Sequence, residues 1–129
     1  MKTWNYGNEA PKAVTFTKHL GVSVLTINYN LQENDNDGDD NRLRWDSVTL
    51  KPGIRDYASI VSAIVNNEYD NDAMQAIINN YMLEPDDQEV KFEWETMQAF
   101  RAYAKVVARK YVNGELDDAD APFSPDSQE

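Results

Sequence analysis

Apolar residues recur at helical spacing three times in the second half of the chain. Tyr57, Ile60, Val61, Ile64 and Val65 follow one another at intervals of three, one, three and one, which places all five on one helical face. Asp56 stands before them as an N-cap, and Pro52-Gly53 break whatever precedes it. The other face of this helix carries the small residues Ala58, Ser59, Ser62 and Ala63, where a neighbouring backbone can approach closely or which form a neutral outer face. A second stripe, Ala73, Met74, Ile77, Ile78 and Tyr81, is opened by Asp70 or Asn71. A third and longer one runs through Met97, Phe100, Ala104, Val107, Ala108 and Tyr111, broadened by Tyr103 and Val106. Its acidic residues lie early and Arg101, Lys105, Arg109 and Lys110 late, as the helix dipole favours, and Asn113-Gly114 ends it. Asp86 and Glu89 have the spacing of a capping box. Val90, Phe92 and Trp94 alternate in period two, so an extended piece with the helix starting at Glu95 is the alternative.

Before residue 51 the period is two. Residues 13–18 and 22–30 alternate and are dominated by β-branched and aromatic side chains, with His19-Leu20-Gly21 as a hairpin turn between them. Residues 43–50 form a third strand, with a bulge expected near Asp46-Ser47. The expected fold is α+β: a small antiparallel sheet of about three strands packed against three C-terminal helices. A further strand could come from Trp4-Tyr6 or from residues 90–94. This gives an N-terminal arm over residues 1–12, one domain over 13–112 and an acidic, disordered tail over 113–129.

Charge changes this picture little once it is located. The net charge is −11, of which residues 31–41 supply −5 and residues 113–129 supply −6, leaving a body with 12 acidic and 12 basic residues. A neutral body with no basic excess is not expected to bind nucleic acid by neutralising phosphates. No cysteine is present for disulfides or thiolate metal sites, no apolar run approaches membrane-spanning length, and no signal peptide is visible.

The candidate chemistry is sparse. Residues 33–39 resemble a calcium loop through Glu33, Asp35 and Asp37 with Gly38 at the turn, but Arg44 would stand where a bidentate glutamate is needed. They read better as a solvated loop. His19 is the only histidine, which excludes a multi-histidine zinc site, and no Gly-x-Ser-x-Gly elbow accompanies it. No glycine-rich phosphate loop is present. No catalytic residue, cofactor or metal site is therefore expected. Two features remain as interaction candidates. Arg101, Lys105 and Arg109 recur every four residues and could meet phosphate or an acidic partner, although a plain polar face near the helix C-terminus explains them better. Phe123 is the one aromatic residue of the acidic tail.

One pattern resembles a known group. Tyr69, Asp72-Ala73, Ala76-Ile77 and Asn79-Asn80-Tyr81, followed by Gln98-Ala99-Phe100-Arg101 and Ala104-Lys105, are similar to segments of small proteins of tailed phages and prophages of gut bacteria. There an aspartate-led helix, an acidic spacer and a helix opening near Gln-Ala-Phe/Trp-Arg follow in turn. The similarity covers residues 48–112 and brings no catalytic residue with it. It implies a non-enzymatic virion or assembly protein, found in the host cytoplasm and then in the virion. Its partners would be other virion or assembly proteins or further copies of itself. An acidic anti-defence or regulatory protein mimicking nucleic acid is the alternative.

Overall fold

The computed structural model describes residues 5–34 and 42–116. Four strands, β1 (Asn5–Gly7), β2 (Val14–His19), β3 (Val22–Glu33) and β4 (Leu43–Thr49), precede three helices, α1 (Tyr57–Glu68), α2 (Asn71–Leu83) and α3 (Gln88–Val112). The sheet is antiparallel in the order β1-β4-β3-β2. The fold is thus α+β with one strand more than expected. The added strand is the Tyr6 segment that the sequence offered as an alternative. It is pinned by its backbone and by the Asn5 amide, which donates to Ser47 Oγ (2.9 Å), while the Tyr6 ring stays exposed.

Register follows from the alternation. Phe16 pairs with Leu25, Ile27 with Val48 and Tyr29 with Asp46, so these share one face of the sheet, which is buried at Leu25, Ile27, Tyr29, Val48 and Asp46 while Phe16 stays half exposed. Asn5, Asn28, Ser47, Thr26 and Thr49 line the other face, where Ser47 Oγ bonds Asn28 Oδ1 and the two threonine hydroxyls lie 2.9 Å apart. The bulge falls on β3 between Tyr29 and Gln32, opposite Trp45, and not at Asp46-Ser47. Its hinge is Asn30, with φ of 57°, a left-handed conformation that asparagine tolerates better than most residues. At the other end of β3 the hairpin turn uses positive φ at both Leu20 (50°) and Gly21 (81°), as a type I′ turn requires.

Gly7 shows how tightly β1 is seated. A Cβ there would lie 2.8 Å from the Trp45 ring. Gly7→Ala is expected to lift β1 from β4, at about 1–3 kcal/mol for an overpacked contact. Amide exchange should accelerate at residues 5–7 while the β2–β3 ladder stays protected; unchanged protection of β1 would contradict this.

The core joins Leu25, Ile27 and Tyr29 of the sheet to Ile60, Ile64 and Val65 of α1 and Phe100, Ala104 and Val107 of α3. Each helix is capped by an aspartate. Asp56 Oδ2 accepts from Ser59 N (3.1 Å) and Asp70 Oδ1 from Ala73 N (2.7 Å). The cap of α3 is Asp87, which accepts from Glu89 N and Val90 N, so the box expected between Asp86 and Glu89 does not form. Residues 90–94 are helical, with Val90 and Trp94 one turn apart and half-buried.

The helices run along the length of the sheet and past one end of it. Gly53 N donates to Ser23 O (3.0 Å), which starts α1 beside the β2–β3 turn. Asn67 Nδ2 donates to Tyr29 OH (2.9 Å), which ends it at the opposite end of β3. There α3 crosses: Tyr103 OH accepts from Asn30 N (3.1 Å), and Phe100 meets Tyr69 edge to face at 5.9 Å. The first nine residues of α3, about 13 Å of helix, continue beyond this point beside α2, where Trp94 meets Tyr81.

Candidate interaction surfaces

The α2–α3 hairpin is the feature that sequence periodicity describes least well. The stripe Ala73, Met74, Ile77, Ile78 and Tyr81 reads as a core face, yet α2 contains no fully buried residue. All five are half-covered, because α3 is their main support. Tyr81 stacks on Trp94 with ring centroids 4.3 Å apart and planes 10° from parallel, which ties the two helices together near their outer end. Beyond that tie Met82 and Leu83 are 75% and 80% exposed. A groove of about 440 Å³ opens between Tyr69 at the end of α1, Ala73 and Ile77 of α2 and Phe92, Glu93 and Thr96 of α3. Phe92 is more than half exposed beside it.

Charge is segregated onto this hairpin. Residues 69–96 carry eight carboxylates against Lys91 alone, a charge of −7. The rest of the body, residues 1–30, 42–68 and 97–112, carries eleven basic and four acidic side chains, or +7. The neutrality found by summing the body is therefore a cancellation between an acidic hairpin and a basic remainder.

A second exposed apolar cluster lies at the other end. Leu20 at the tip of the hairpin turn is 91% exposed, and Val22 and Ile54 are each more than two-fifths exposed, with Tyr57 close behind. A Cβ placed on Gly53 would lie 3.8 Å from Val22 Cγ1, and Gly53 N bonds Ser23 O, so the turn and the residue 51–57 segment form one surface. Lys18, Lys51 and Arg55 are exposed within it, and the one carboxylate is Asp56. The capping bond to Ser59 holds Asp56 below its usual pKa.

Between the two ends sits a buried polar cluster that belongs to the fold. Asn30 Nδ2 donates to Asp46 Oδ2 (3.0 Å), and Gln32 Nε2 to Asn30 Oδ1 (3.2 Å), with Asp46 wholly buried. Burial is the main cause that pushes the Tyr29 hydroxyl far above its ordinary pKa.

The expected site residues are scattered by the structure. Lys105 and Arg109 are exposed on α3, but Arg101 is half-buried and lines a small pocket with Val61, Asn71 and Met74. The three do not form one accessible row. Phe123 and residues 35–39 of the calcium-like loop lie outside the described residues. The small residues of α1, Ala58, Ser59, Ser62 and Ala63, border an open groove of about 680 Å³ against Thr49 and Leu50. His19 is exposed at the end of β2, and among the described residues no three His, Asp or Glu side chains gather into a group that could hold a metal. No described helix is long and apolar enough to cross a membrane. Comparison with family models, with curated proteins and with solved structures returns no match.

Proposed function

We propose that this protein is a non-enzymatic virion or assembly protein of a tailed phage, acting through protein–protein contacts. The observation that carries the reading is the α2–α3 hairpin: a helical pair beyond the sheet with Met82, Leu83 and Phe92 presented to solvent. Large apolar side chains grouped on a surface and rimmed by charge are how a protein contact is built. The resemblance of residues 69–81 and 98–105 to phage proteins supplies the biological setting. Mass spectrometry of purified particles and of assembly intermediates from a producing strain tests it. The protein is expected in fixed stoichiometry in one of them; its absence from both would sink the reading.

A second reading, an acidic mimic of nucleic acid, gains from one feature. The eight carboxylates of residues 69–96 stand on or beside two ordered helices, whereas charge confined to the loop and tail would not be so fixed. The apolar residues among them favour the first reading. Glu84→Gln with Glu89→Gln and Glu93→Gln separates the two, because a mimic loses its target and an assembly contact built on Met82, Leu83 and Phe92 survives in weakened form.

A further inference from the structure

We infer that copies of this chain associate head to tail, the acidic α2–α3 hairpin of one docking on the basic turn surface of the next. The inference deepens the assembly reading above and names the partner as a second copy. Three observations carry it. The first is charge: the hairpin region, residues 69–96, holds −7, and Lys18, Lys51 and Arg55, with Asp56 as the one carboxylate, stand beside the β2–β3 turn. The second is apolar surface at both ends, Met82, Leu83 and Phe92 on one and Leu20, Val22 and Ile54 on the other.

The third is Leu20 itself. A leucine in the left-handed region is strained, and asparagine or glycine fits there with less cost. At 91% exposure its side chain is scarcely covered within its own copy. A bulky apolar residue held at a local cost and presented to solvent is explained by a contact made outside the chain. The two surfaces lie at opposite ends of the sheet, since α1 begins at one and ends near the other. They cannot meet within one molecule, and pairing one with its complement on a neighbour leaves a free surface at each end. Such a heterologous contact propagates into a ring or an open filament. Opposite charge speeds the encounter and fixes its direction, and salt weakens it.

Light scattering on the full chain over a concentration series tests this. Mass should rise with concentration at low ionic strength and fall back on adding molar salt. Leu20→Asn, which suits the turn, and Met82→Lys with Leu83→Lys, which alters exposed positions, should each weaken association at least tenfold without loss of folding. Mixing the two variants is the decisive arm. Each keeps one intact surface, so the mixture should form a capped heterodimer and stop there. A wild type monomeric at every concentration overturns the inference, and so do association untouched by both variants and a symmetric dimer that does not grow. A monomer that is nonetheless found in particles would leave the assembly role standing and remove only the self-association. A self-associating chain absent from particles would do the reverse.

Discussion

Phe100→Ala is expected to lower the unfolding free energy by about 3–5 kcal/mol, the cost of emptying a fully buried aromatic site. A domain of this size has a total stability of about 5–15 kcal/mol, so the loss is a large share of it. Phe100 is 2% exposed and lies where three parts of the molecule meet. Its ring is edge-on to Tyr69 at 5.9 Å and tilted against Tyr103 at 6.1 Å, and both α1 and the sheet complete its surroundings. The cavity would open at the point where α2 is anchored, so the hairpin should loosen before the sheet does. Denaturant unfolding measures the total, and amide exchange along α2 measures the loosening. A loss below about 1 kcal/mol, small for any buried large-to-small change, would show that Phe100 is not the keystone described.

Asn30→Ala carries the second large effect. Asn30 combines a left-handed backbone with side-chain hydrogen bonds to Gln32 and to the buried Asp46 carboxyl. Alanine restores the steric cost of that backbone, about 1–2 kcal/mol, and removes a bond to an ionisable group worth about 1.5–3 kcal/mol. A total near 3–4 kcal/mol is expected from the two together. Asn30→Gly removes the same bonds without the strain, so it should be milder by about 1 kcal/mol. Thermal and denaturant unfolding of the pair decide this. Equal losses for the two variants would mean that the backbone at the bulge relaxes and that strain plays no part.

The elements with a local cause were legible in the sequence. Asp56 and Asp70 cap their helices because a short acceptor just ahead of a 3.6-residue stripe can take the first free N–H groups. The alternation in residues 14–18 and 22–29 places Leu25, Ile27 and Tyr29 together in the core for the same reason. What failed depended on tertiary surroundings. Periodicity states that one face of α2 is apolar and is silent on what covers it, so a half-covered hairpin reads the same as a core helix. The period-two run Val90, Phe92, Trp94 is helical because the Asp87 cap and the Tyr81–Trp94 stack outweigh a short alternation. The bulge moved from Asp46-Ser47 to Asn30 because Asp46 is held inside by Asn30 and Tyr29. Asp86 and Asp87 are adjacent candidates for one cap, and spacing alone selected the wrong one.

The candidate surfaces were hardest to read. Summing charge over the body cancels the acidic hairpin against the basic remainder, so the −7 of residues 69–96 emerges only once α2 and the first turns of α3 are seen to form one hairpin. Arg101, Lys105 and Arg109 looked like one row because they share a helix face, but α1 and α2 cover the first of them. Leu20 was visible only as part of a turn. Its positive φ and its exposure together make it informative.

Amide chemical shifts followed while the protein is concentrated at low ionic strength test the central claim most directly. The account predicts movement in two separate groups at once, residues 77–93 of the hairpin and residues 18–22 with 51–57 at the opposite end, both reversed by salt. Shifts confined to one end, or none at any attainable concentration, would contradict it.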